Sequence, residues 1–138
     1  GYDEEVDARD YEEWCSWFGV EELTHDQEGQ MTGPSMIKNF PNETSPFWNM
    51  KQNGDGTAAK IDVILGGMET IGSAERSSNP EEMREMFHTI SDGMYANLLY
   101  GQFGKERVER ELDDFLSLNF IPRVGGGIGL TRLINAIM

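Results

Sequence analysis

The hydrophobic residues of this chain change period between its middle and its second half, and that change limits the folds open to it. In the middle, apolar positions alternate: in Ala58 to Leu65, Ile61, Val63 and Leu65 fall on one face and Asp62 and Ile64 on the other. Beyond Asn79 they recur at helical spacing, with Met83, Met86, Phe87 and Ile90 in one run and Val108, Leu112, Phe115 and Leu116 in another. Strands joined by short turns and then helices make an α+β domain, because a parallel sheet needs a crossover between successive strands. The pattern predicts strands at Ser35 to Phe40, Ser45 to Lys51, Ala58 to Leu65 and Glu69 to Arg76, paired as an antiparallel meander with Gly66-Gly67 as one hairpin turn. Asp10 to Phe18 reads as a short amphipathic helix on Tyr11, Trp14, Cys15 and Phe18. Asn79-Pro80-Glu81-Glu82 is a helix start with a side-chain cap and proline at the first helical position. Gly93 and Gly101 to Gly104 read as breaks, Lys105 to Asn119 as a helix, and the glycine-rich end as a strand feeding a terminal helix.

Composition narrows the functions. The 138 residues suit a single core, burying roughly 65–70% of the unfolded surface. Asp and Glu number 25 against 11 Lys and Arg, a formal charge of -14 that repels phosphate backbones and anionic lipid. Charge-driven nucleic-acid binding is disfavoured. No apolar run approaches the ~20 residues of a membrane span and no secretory leader is recognisable, so a cytoplasmic location is expected. Cys15 is the lone cysteine, and with only His25 and His88 there is no zinc pattern. Cys15, the tryptophans Trp14, Trp17 and Trp48 and the methionines read as packing, and His88 and His25 as solvated.

Two clusters could carry chemistry. Gly125-Gly126-Gly127-Ile128-Gly129-Leu130-Thr131-Arg132 matches neither the dinucleotide fingerprint nor the P-loop. It is a strand stripped of side chains, so that a flat group can lie on its backbone, followed by an arginine able to stack on a purine and pair with a phosphate. Tight strand–helix packing with a surface arginine is the plain alternative. The second cluster is Asp62, Glu69 and Arg76, spaced seven and seven across the Gly66-Gly67 turn. Paired carboxylates on adjacent strands repel unless a hard cation joins them, and Mg²⁺ held this way completes its shell with nucleotide phosphates. Ordinary solvated acids are the alternative. Strict alternation sends Glu69 and Arg76 to opposite faces, so a bulge is required, expected at Gly72-Ser73.

Together the clusters resemble a known family. Gly-Gly-Gly-Ile-Gly-Leu-Thr-Arg-Leu at 125–133 resembles motif 3 of the class II aminoacyl-tRNA synthetases, and Ile61 to Arg76 is similar to the preceding strand pair of the aspartyl/asparaginyl subgroup. Phe40 to Lys51 is similar to the strand pair before that. Residues 1–30 read as an acidic segment with a short helix, and the resemblance, which covers 31–138, implies the C-terminal half of the class II catalytic domain there. It implies ATP and Mg²⁺ as cofactors, with ATP at Glu69, Gly127, Gly129 and Arg132 and the metal at Asp62 and Glu69. Substrate would sit at Arg76 and Gly72, and Arg76 and Arg132 would be the catalytic arginines. Thr131, where the synthetases usually carry an acid, looks more like ammonia-dependent asparagine synthetase. The expected reaction is therefore aspartate activation as an acyl-adenylate and its capture by ammonia. The alternatives are a fragment of an asparaginyl- or aspartyl-tRNA synthetase acting with tRNA, and a non-catalytic paralogue binding amino acid or nucleotide. A homodimer is expected for the full-length protein and no membrane partner. Motifs 1 and 2 are not found in this chain, which implies a catalytically incomplete piece.

Overall fold

The computed structural model describes residues 5–138. Its centre is a five-stranded sheet in which sequence order is spatial order: β1 (Asp7–Asp10), β2 (Ser35–Pro41), β3 (Thr57–Leu65), β4 (Met68–Arg76) and β5 (Arg123–Ile128). The pairs β2–β3, β3–β4 and β4–β5 are antiparallel, as the short turns require. At the edge, β1 runs parallel to β2, which the sequence pattern did not predict. The acidic start of the chain hid that strand: Asp7-Ala-Arg-Asp10 has no apolar alternation, and Asp7 N–H donates to the Pro34 carbonyl at 3.0 Å to set the pairing.

The strand expected at Ser45 to Lys51 does not form. Asn42–Thr44 is a 3-10 turn, and only isolated bridges, Met50 to Arg76 and Gln52 to Ala58, touch the sheet. Pro46 removes a ladder donor, and Trp48 turns to the helices instead, edge-on to Phe87 at 5.4 Å and to Phe115 at 5.7 Å. The Gly66-Gly67 turn forms as expected. Both glycines hold positive φ, 59° and 74°, which a two-residue hairpin of this hand demands.

Helix α1 (Tyr11–Phe18) follows β1 directly and buries Tyr11, Trp14 and Cys15 against Ile37, Phe40 and Ile64 of the sheet. The Trp14 indole N–H donates to the Met36 carbonyl at 2.9 Å, fixing the helix on β2. Trp17, by contrast, is exposed at 67%, with the Arg9 guanidinium 4.5 Å above its ring, so it is not a core residue. A short helix, α2 (His25–Gly29), is capped by Thr24 and Gln27 and packs on the hairpin, where Gly29 approaches Gly67. His25 caps no core and is exposed.

Between β4 and β5 the chain builds a helical unit of α3 (Pro80–Thr89), α4 (Met94–Phe103) and α5 (Lys105–Leu116). Asn79 accepts from the Glu81 and Glu82 amides at 3.0 and 3.2 Å, the cap read from the sequence. Met83, Phe87, Ala96, Val108, Leu112 and Leu116 form its core. Burying Met83 and Phe87 is worth about 2–3 kcal/mol each. Helix α4 was not predicted, because Gly101 lies inside it. The helix runs on to Phe103 and stops at Gly104, whose φ of 84° ends the turn. His88 is partly exposed, yet both ring nitrogens are engaged: Nε2 lies 2.7 Å from Glu109 of α5 and Nδ1 2.8 Å from the Arg84 carbonyl. Helix α6 (Leu130–Ile137) ends the chain, with Leu130, Ile134 and Ile137 more than half exposed. Among the described residues no helix is long and apolar enough to cross a membrane.

Candidate functional site

The register of β3, β4 and β5 decides which side chains share a face, because directly opposed residues project the same way. Asp62 opposes Gly72, and Gly72 opposes Gly127. Ala74 opposes Gly125, and Arg76 opposes Arg123. Asp62, Gly72, Arg76, Arg123, Gly125 and Gly127 therefore line one face. Glu69 joins them through a bulge. Val63 opposes Ile71 but Ile64 opposes Glu69, so Thr70 is the extra residue and the alternation of β4 inverts there. The bulge that the spacing demanded exists, but at Thr70 and not at Gly72-Ser73. Thr70 is the buried residue whose hydroxyl donates to the Met68 carbonyl, and its own carbonyl accepts the Gly129 N–H at 2.8 Å, tying the kink to the start of α6.

The bulge brings the two acids over the same glycine. A Cβ placed on Gly72 would stand 2.7 Å from Glu69 Oε1 and 3.7 Å from Asp62 Oδ1. Gly72 thus contributes space shared by the two carboxylates. Asp62 is only 3% exposed, and among the described residues its Oδ1 has no hydrogen-bond partner. Its other oxygen, Oδ2, lies 3.4 Å from Lys60 Nζ, which also sits 4.0 Å from the Phe40 ring. Burial pushes the Asp62 carboxyl up to about 6; Lys60 pulls it down, and Glu69 and Glu28 push it further up. A buried acid in this state is stabilised by any cation delivered to Oδ1. Among the described residues no group of three or more His, Cys, Asp or Glu could hold a metal ion. A cation at Asp62 and Glu69 consequently needs further oxygens from a bound anion, which is the usual habit of Mg²⁺.

Arg132 reaches the same place from α6. Its Nη1 donates to the Glu69 carbonyl at 2.8 Å, and its side chain folds back along Gly129, where a Cβ would stand 3.4 Å from Arg132 Cδ. Arg132 thus meets the backbone of the residue whose carboxylate lies beside Asp62. Gly127 is open, with nothing within 4 Å of where a Cβ would be. Gly126 differs: a Cβ there would stand 2.8 Å from the Gly72 carbonyl, so that glycine is needed for strand packing.

Arg76 lies at the opposite end of β4. Its guanidinium rests on Gly125, where a Cβ would come within 2.8 Å of Nε, and Nη1 donates to Asn49 Oδ1 at 3.2 Å. The sequence reading missed Lys60, Asn49, Arg123 and Glu28. Lys60 was legible in principle, two residues before Asp62 on the same face. Asn49 and Glu28 come from a loop and a short helix whose placement no local pattern encodes.

The comparisons with known proteins bear on the family and the fold. The family of class II tRNA synthetases (D, K and N) matches residues 11–138. The chain is 27% identical over 107 residues to the lysine–tRNA ligase of Psychrobacter cryohalolentis, covering 78% of this chain and 20% of the relative. It is 32% identical over 109 residues to the asparagine–tRNA ligase of Idiomarina loihiensis, again 78% of this chain and 21% of the relative. Among solved structures, asparaginyl-tRNA synthetase from Pyrococcus horikoshii complexed with asparaginyl-adenylate superposes with a TM-score of 0.69 at 19% identity, over 96% of this chain and 31% of that one. Aspartyl-tRNA synthetase from Entamoeba histolytica gives 0.68 at 19%, over 95% and 28%. The chain therefore spans about a fifth to a third of the length of these proteins. The α+β architecture expected from the period change and the family suggested by the two clusters both stand, and the chain belongs to the class II tRNA synthetases of the D, K and N group.

Proposed function

We infer that this chain is the C-terminal half of a catalytic domain that activates an amino acid with ATP and passes the acyl group to tRNA. The observation that carries the reading is the pairing of an orphaned, buried Asp62 oxygen with the Glu69 carboxylate beside the Arg132 guanidinium. Three groups fixed by a bulge, a glycine and a helix start form a receptor for Mg²⁺ and a polyphosphate. In activation, a carboxylate oxygen of the amino acid attacks the α-phosphorus of ATP and pyrophosphate leaves. When bound, Mg²⁺ neutralises charge on the departing phosphates, and Asp62 and Glu69 are the residues that would hold it. Arg132 binds and orients the phosphate tail, the glycines of β5 admit the flat adenine to the backbone, and Arg76 orients the amino acid. A cation held at Asp62 and Glu69 would offset the penalty of the buried Asp62 charge.

The domain organisation proposed is the half-domain at 31–138 with motif 3 at 125–133, preceded by the acidic segment. A second reading is favoured by Thr131, which precedes Arg132 where an acid is usual, and by the charge of -14. In it, ammonia captures an activated aspartate to give asparagine. Amino-acid-dependent exchange of pyrophosphate into ATP by the intact protein tests the shared step. Transfer to added tRNA supports the first reading, and ammonium-dependent AMP release without tRNA supports the second.

A further inference from the structure

Lys60 and Asp62 stand two residues apart on β3, opposite Ala74 and Gly72, so both point to the face that Glu69 joins through the bulge. Their ion pair differs from the others of the chain. The Asp62 side chain is 5% exposed, whereas the carboxylate partner in every other pair among the described residues is at least 16% exposed. The ammonium is held from two sides: Nζ lies 3.4 Å from Asp62 Oδ2 and 4.0 Å from the centre of the Phe40 ring. Phe40 is itself buried and packed on Tyr11 at 5.1 Å. Lys60 is thus a fixed cation, seated on one oxygen of the acid whose other oxygen lies with Glu69 Oε1 over Gly72. Of the charged groups that act on Asp62 among the described residues, Glu69 and Glu28 are negative and Lys60 is the positive one.

We propose that Lys60 is a positioning residue that makes metal binding conditional on nucleotide: its ammonium keeps a bare divalent cation from Asp62 and Glu69 and admits one that arrives with polyphosphate oxygens. This rests on the adenylation reading and goes further by naming what closes the site to free metal. A divalent ion on Oδ1 would share a carboxylate with the ammonium on Oδ2, and like charges that close repel strongly away from bulk water. Polyphosphate brings several negative charges to the same place, so metal and ammonium both gain partners. With Oδ2 engaged, Oδ1 is the free oxygen of Asp62, and the acid offers a metal one oxygen beside Glu69. A site guarded in this way discriminates against free metal by repulsion and not by weaker ligands.

Binding of Mn²⁺ to the intact protein without ATP, followed by electron paramagnetic resonance, tests the role of Lys60. Lys60→Gln should bind bare Mn²⁺ ~10-fold or more tightly than wild type, because the repelling charge is gone. Lys60→Arg, which keeps the charge, should bind it as weakly as wild type, and adding Glu69→Gln to Lys60→Gln should abolish the gain. Thermal melts check that each variant is folded, with Lys60→Met as a second neutral variant. An unchanged Mn²⁺ affinity in the folded neutral variants, a gain that survives Glu69→Gln, or a wild type that binds Mn²⁺ as tightly without ATP as with it overturns the role of Lys60. Adenylation is read separately, by amino-acid-dependent pyrophosphate exchange in wild type, and its absence with every amino acid overturns the adenylation reading itself.

Discussion

The helical unit and the sheet face treat charge in opposite ways. In the unit, Arg84 pairs with Asp113 at 2.7 Å, and Glu109 gathers His88 and the Tyr100 hydroxyl. Burial and that carboxylate push the Tyr100 phenol up to about 12; burial also pushes Glu109 up, but the hydroxyl and imidazole contacts together draw it below its ordinary value. The α3 cap is satisfied and the core is apolar, with the Trp48 indole nitrogen packed on it as the one buried side-chain polar atom without a partner among the described residues of that unit. On the face of β3, β4 and β5, Lys60 engages one oxygen of the buried Asp62, but among the described residues the other oxygen is orphaned, Arg76 and Arg123 form no salt bridge, and glycine stands where side chains would pack. Charges satisfied within the chain support the fold. Charges left unsatisfied in a rigid sheet have a cost that only a ligand removes.

Substitutions can break or sharpen that contrast. The largest effect is expected for Arg132→Ala, which should lower amino-acid-dependent pyrophosphate exchange by ~10²–10³-fold while changing thermal stability little, since the residue is exposed. Gly126→Ala should destabilise by about 2–3 kcal/mol in urea unfolding, because its methyl meets the β4 backbone; Gly127→Ala, in open space, should cost under about 1 kcal/mol. Asp62→Asn sharpens the comparison through pH. The carboxyl titrates near 4 when unfolded and at about 6 when folded, so between those values the folded chain holds more protons. Its burden on stability is absent below pH ~4, grows through ~6 and is full above, reaching about 2–3 kcal/mol. Asp62→Asn should accordingly raise stability at pH 8 by up to that amount and not at pH 4, in melts without nucleotide. Smallest is Asn79→Ala, about 1 kcal/mol from the lost α3 cap, with no effect on exchange.

Legibility followed the same division. The capped helix at Asn79, the Gly66-Gly67 hairpin and the α5 stripe were readable because each is set by residues close in sequence. Strand β1 was not, since its place depends on a long-range parallel pairing and its side chains carry no apolar alternation. The Ser45 to Lys51 strand failed because its aromatic residues serve the helical core, which periodicity cannot show. Gly101 misled for a similar reason: tertiary packing holds α4 together across it. In the site, the need for a bulge was legible from the spacing of Glu69 and Arg76, but its position was not. It moved to Thr70, where a buried threonine and the Gly129 amide fix it. Lys60 could be read from its place two residues before Asp62 on one strand, whereas Arg123 came from register, a property of strands together and of no single segment.

The central claim is that Asp62, Glu69 and Arg132 receive one metal–polyphosphate ligand. Electron paramagnetic resonance of Mn²⁺ titrated into the protein with and without ATP tests it most directly. The account predicts a bound Mn²⁺ signal that appears when ATP is present and is lost in Glu69→Gln. An ATP-dependent signal of equal strength in Glu69→Gln and wild type would contradict it.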